Sequence, residues 1–98
     1  MKLIIPEIGL DLIPHSQEAK EKIGFKWAGE GIGQRSKLGG VPDWIHGHEV
    51  PKCSCGQEMT FYGQLDSIGD AVCLADCGMI YVFVCFDCYE TTSVLQSF

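Results

Sequence analysis

The chain has 98 residues, 46% of them hydrophobic and 10% aromatic, with a formal net charge of −6. This content excludes a disordered chain, and the length suits one hydrophobic core rather than two. No apolar run approaches the roughly 20 residues that span a bilayer. Pro6 and Glu7 close the opening Met1–Ile5 stretch far short of a signal peptide, so the expected setting is cytoplasmic. Thiols stay reduced there, which turns cysteines toward metal or redox chemistry. Residues 1–37 carry six basic and five acidic side chains, whereas residues 38–98 carry Lys52 alone against eight acids. Phosphate recognition draws on clustered Lys and Arg, so nucleic acid is not an expected partner, and neither is a membrane.

Leu3 to Ile13 mixes short apolar stretches with Pro6 and Gly9 and predicts at most a short edge strand. Ser16 to Ile23 predicts a brief helix. Ser16 is suited to the N-cap, Glu18 and Lys22 stand four apart, and Gly24 offers a left-handed stop. Eight residues do not hold a helix in water alone, so Ala19 and Ile23 must dock. Phe25 and Trp27 are candidates to begin a strand. Gly29 to Gly47 is rich in glycine and reads as loop, with Val41, Trp44 and Ile45 as anchors and no phosphate-binding spacing.

The second half reads as β. From Met59 to Asp66, Met59, Phe61 and Leu65 alternate with Thr60, Tyr62, Gln64 and Asp66, the pattern of a half-buried strand. Met79 to Phe86 is apolar at nearly every position and suits a central strand. Thr91 to Phe98 supplies β-branched residues for a third.

Six cysteines punctuate this half. Cys53-Ser54-Cys55 precedes the first of these strands, and Cys85-Phe86-Asp87-Cys88 joins the second to the third. The order is knuckle, strand, loop, strand, knuckle, strand. Tetrahedral zinc needs four sulfurs about 3.8 Å apart, and a Cys-x-x-Cys turn brings two together readily. The one-residue spacing of Cys53 and Cys55 is tighter, and Gly56 can relieve it by adopting a backbone that other residues avoid. Cys53, Cys55, Cys85 and Cys88 are therefore the expected ligands of one structural zinc ion. Metal-free buried thiols and disulfides are the competing readings.

Cys73 and Cys77 lie between the strands. They read first as small buried side chains, with replacement ligands or a redox pair as alternatives. His46 and His48 flank Gly47 and are lesser ligand candidates, His48 being the nearer to Cys53; His15 marks only a turn. Asp66, Asp70, Asp76 and Asp87 read as a solvated face. Zinc held by four thiolates has no open position for water, so no catalytic residue is expected.

The ordered series Ser36-Lys37-Leu38-Gly39-Gly40-Val41-Pro42-Asp43-Trp44-Ile45, Pro51-Lys52-Cys53-Ser54-Cys55-Gly56, Met59-Thr60-Phe61, Gly63-Gln64-Leu65-Asp66 and Gly78-Met79-Ile80-Tyr81-Val82-Phe83 resembles the YwqG-like bacterial proteins of unknown function. Cys85, Cys88 and Leu95-Gln96-Ser97 continue it, so the resemblance covers roughly residues 36–97. It implies a β-rich fold and a zinc-type cysteine arrangement, and no enzymatic activity. The chain departs from that pattern at His46, where glutamine is usual, and at Cys77, where a small residue is common.

The expectation is a single α+β domain, 1–98, mostly antiparallel β and zinc-ribbon-like, with a short N-terminal helix. Residues 1–35 form an arm and 36–98 the zinc-binding β region. The expected function is a small, non-catalytic module that binds another protein, with Trp27 and Trp44 as a contact patch. A thiol redox protein using Cys73 and Cys77, or an immunity-type protein that neutralises a basic toxin, are the alternatives.

Overall fold

A computed structural model describes residues 3–29 and 31–98 of the chain. The Met1–Lys2 start of the expected N-terminal arm lies outside the described residues. Among the described residues five strands form one sheet: β1 (Ile8–Gly9), β2 (Lys37–Leu38), β3 (Thr60–Asp66), β4 (Met79–Val84) and β5 (Thr91–Gln96). They stand in chain order and every neighbouring pair is antiparallel. The described residues hold one helix, α1 (Gln17–Lys22), which precedes β2. None of the described helices is long and apolar enough to cross a membrane.

The helix forms where its end signals place it. The Ser16 side chain accepts from the Ala19 N–H at 3.0 Å, and Gly24 turns the chain away with φ +109°. Ala19 and Ile23 are half-buried and line a shallow apolar groove with Leu12, Ile13, Ile68 and Val72. Phe25 and Trp27 form no strand. Trp27 is 90% exposed, because the chain from Gly24 to Lys26 is instead tied to the Gly69–Asp70 turn by backbone and side-chain hydrogen bonds.

The arm and the β region share one sheet, since β1 pairs with β2 through Ile8–Leu38 and Gly9–Lys37. The expected loop of Gly29–Gly47 thus contains a two-residue strand. Lys37 anchors it: the ammonium is buried and donates to Glu7 at 2.7 Å, with Asp43 3.1 Å away.

β4 is central, paired to β3 and to β5 along its whole length. Met79, Tyr81 and Phe83 point to one face and are fully buried, while Ile80, Val82 and Val84 on the other are half-buried. Trp44 covers the buried face, its ring centroid 4.6 Å from Tyr81 and 6.0 Å from Phe83. Two buried glutamines fasten that cover. Gln64 accepts from the Asp43 N–H and donates to the Asp43 carboxylate, while Gln96 accepts from the His46 N–H and donates to the Gly47 carbonyl. Tyr81 completes the set by donating to the Asp43 carbonyl at 2.8 Å.

β3 departs from simple alternation. Its register against β4 shifts between Phe61 and Gly63, so Tyr62 is the extra residue of a β-bulge. Beyond the bulge the faces exchange: Gln64 and Asp66 turn inward, and Leu65, expected to face the core, is 50% exposed. A one-residue slip does this to every later side chain.

Candidate metal centre

The cysteine site is assembled from the two ends of the sheet's central hairpin. Cys53-Ser54-Cys55 leads into β3, and Cys85 to Cys88 leaves β4, so antiparallel pairing of β3 with β4 carries both turns to the same end. Thr60 pairs with Val84 as the last rung before they meet.

Each turn is locally closed. In the first, the Cys53 N–H donates to the Gln57 carbonyl at 2.8 Å and the Gly56 N–H donates to the Cys53 carbonyl at 2.9 Å. Gly56 has φ +91°, the left-handed conformation that the short Cys-x-Cys spacing demands. In the second, the Cys85 N–H donates to the Glu90 carbonyl at 2.9 Å and the Tyr89 N–H donates to the Cys85 carbonyl at 2.7 Å. Tyr89 carries φ +62°, uncommon for an aromatic residue, and turns the chain into β5.

The four thiols converge: all lie within 4.8 Å of one another. Contacts run across the turns, with Cys53 Sγ 3.0 Å from Cys88 Sγ and Cys55 Sγ 3.7 Å from Cys85 Sγ. These separations lie within about 1 Å of those around a tetrahedral thiolate-bound ion. All four cysteines are free thiols. Cys53 and Cys85 are buried against the core beside Met59 and Phe83, whereas Cys55 and Cys88 are exposed. The group is positioned to bind a metal ion.

The electrostatics prepare part of this set for ligation. The backbone N–H groups of Cys88 and Asp87, aimed at the Cys85 sulfur, outweigh its burial and bring its thiol down to about 7. Cys53 receives an N–H from Cys55. Even so, contact with the Cys88 thiol and burial push it well above the usual range while protons fill the site. A cation is the natural replacement for those protons, because ligands bind as thiolates.

Glu90 is a member of the site that spacing did not disclose. Its carboxylate accepts from the Ser54 N–H at 3.1 Å and from the Ser54 hydroxyl at 3.0 Å, clasping one cysteine turn to the other. These two donors, with the Cys53 thiol, lower the Glu90 pKa. The available signal was a carboxylate two residues after Cys88.

The other candidates lie elsewhere. Cys73 and Cys77 sit in the turn before β4, outside the group of four, and they touch one another through the Cys77 N–H and Cys73 Sγ at 3.1 Å. His48 stacks on Trp44 with centroids 6.0 Å apart, and the His46 Nε2 lies 2.6 Å from the Ser97 carbonyl. Neither histidine belongs to the group. Among the expected solvated acids, Asp66 is instead buried and paired with Arg35. Comparison with known protein families, with curated proteins and with solved structures gives no match.

Proposed function

We propose that the protein is a small zinc-stabilised module, without catalytic role, that binds another protein. The observation that carries this reading is the convergence of Cys53, Cys55, Cys85 and Cys88 within 4.8 Å at the open end of β3 and β4. Four sulfur donors converging this closely favour zinc among the abundant divalent ions. Such a site holds no vacant position for water, so the ion would act as a staple. The order of turns and strands is compatible with a zinc ribbon, and the YwqG-like resemblance over residues 36–97 implies the same arrangement.

Protein binding is supported by the surface. Trp27 is 90% exposed, and Leu65 and Leu95 are about half exposed on the sheet face away from the core. Leu65 and Leu95 both flank Ile80 in the strand register, which makes one apolar row across three strands. Rows of this kind commonly mark contact surfaces.

Cobalt(II) titration of chelator-treated protein tests the metal reading. One equivalent should produce the intense visible absorption of tetrahedral cobalt–thiolate, and zinc should displace it. Absorption typical of octahedral cobalt, or tight retention of iron by the purified chain, would count against zinc. A photo-crosslinking residue at position 27 should trap a protein adduct in cells, whereas one at exposed Gln17 should not.

A further inference from the structure

Cys73 and Cys77 are set apart from the metal centre by the turn that carries them. The segment Cys73–Gly78 enters β4, and two of its non-glycine residues hold left-handed backbone: Ala75 with φ +56° and Cys77 with φ +53°. Residues with side chains adopt this region rarely. The turn is anchored on several sides. The Gly78 N–H donates to the Leu74 carbonyl at 2.7 Å, and the Leu74 N–H donates to the Ser67 hydroxyl at 3.0 Å. The Phe98 N–H donates to the Asp76 carbonyl at 3.0 Å, and the Arg35 guanidinium donates to the Cys77 carbonyl at 3.0 Å.

The outcome of this folding is a contact between the cysteines. The Cys77 N–H is directed at Cys73 Sγ, 3.1 Å away, and both residues are half-buried free thiols. Cys77 also stands on the wall of a shallow pocket of about 320 Å³, lined by Ala28, Ile32, Asp76 and Phe98. Cys73 is itself half-buried rather than enclosed, so a small oxidant can reach either thiol of the pair. Cys53 and Cys85, in contrast, are buried, and the exposed Cys55 and Cys88 belong to the group of four. Plain core filling would explain two small apolar side chains. It does not explain an amide turned onto sulfur through a strained backbone.

We propose that Cys73 and Cys77 are a reversible oxidation site that closes to a disulfide when the protein meets a hydroperoxide. The Cys73 thiolate attacks one peroxide oxygen, the O–O bond breaks, and the departing oxygen takes a proton to leave as an alcohol, or as water from hydrogen peroxide. Cys73 is then a sulfenic acid. The Cys77 sulfur attacks the Cys73 sulfur, the S–O bond breaks, and the hydroxyl leaves as water with the Cys77 proton. Two thiols and one hydroperoxide thus give one disulfide, one alcohol and one water. A small dithiol reverses the change by exchange.

The test uses the full chain as purified, treated with one equivalent of hydrogen peroxide, alkylated in denaturant, and digested before Asp76 and after Tyr81. These cuts separate Cys73 from Cys77 and Cys77 from Cys85, so a bond between the pair is read as two fragments that part only on reduction. The expected result is that linkage, with Cys53, Cys55, Cys85 and Cys88 recovered alkylated. Cys77→Ser should accumulate a Cys73 sulfenic acid that a dimedone probe captures, and Cys73→Ser should give no such adduct at Cys77. Full alkylation of both Cys73 and Cys77, or linkage only among the other four, would overturn the proposal. Should a variant fail to fold, the mapping of the unaltered chain decides. The pair linked in a metal-free protein would uphold this proposal and count only against the zinc reading.

Discussion

Asp66 shows how much a single carboxylate can organise. Its side chain is 1% exposed and accepts from the Gly33 N–H, the Arg35 N–H and two guanidinium nitrogens of Arg35, at 2.6 to 2.9 Å. Burial alone would raise its pKa; the Arg35 fork and the backbone donors reverse that and hold it below the usual carboxylate range. A depressed folded-state pKa stabilises the fold above the unfolded value, near 4, and the benefit drains away as pH falls through the folded value. Acid unfolding of the wild type should therefore steepen below about pH 4, as followed by circular dichroism. Asp66→Asn should flatten that limb and cost roughly 2–4 kcal/mol at neutral pH, because Arg35 loses its buried partner while keeping some solvent. The cysteines divide at the same scale. Cys85→Ser should lose metal and much of the fold, since a hydroxyl is a poor fourth ligand. Cys73→Ser should keep the metal and cost roughly 1–3 kcal/mol, a difference that metal content and melting temperature measure together. The clustering of Cys53, Cys55, Cys85 and Cys88 was legible because ligand spacing is itself the signal. Glu90 and Asp66 were not, because their roles depend on partners 36 and 31 residues away.

Among the elements, α1, β4 and β5 were legible from local chemistry: an N-cap and a glycine stop, a continuous apolar run, a β-branched run. β3 was legible in extent but not in facing, since the bulge at Tyr62 reverses the faces of everything after it. Gly63 beside the bulge lies against β2. A Cβ there would stand 2.7 Å from the Lys37 carbonyl oxygen and 2.9 Å from Leu38 Cδ2. Gly63→Ala should thus lower stability by roughly 1–3 kcal/mol by overpacking, whereas Gly47→Ala, with open space around it, should be near neutral; denaturant midpoints of the pair check this. β2 was illegible for a related reason. Two residues carry no periodicity, and β2 is held beside β3 by backbone pairing of Lys37 with Gln64 and of Leu38 with Gly63, contacts that no local pattern discloses.

At the scale of the molecule, one sheet covered on one side by the Trp44 loop encloses a small core, and among the described residues seven, two of them from the four-cysteine group, make up its buried apolar cluster. A core of that size leaves the open end of the β3–β4 hairpin dependent on whatever holds the cysteine turns together. Structural zinc supplies roughly 10–16 kcal/mol of apparent binding energy, enough to decide between folded and unfolded. The net charge of −6, concentrated in residues 38–98, should keep the protein from binding DNA or RNA at physiological salt. Salt-sensitive retention on a nucleic-acid column at neutral pH is the observation that would contradict it. Native mass spectrometry combined with a thiol count on the unmodified protein is the decisive test of the metal staple. The expected result is one zinc per chain, four thiols protected until a chelator is added, and loss of sheet structure when the metal leaves. A folded, metal-free chain in which Cys53, Cys55, Cys85 and Cys88 react as readily after chelation as before would contradict it.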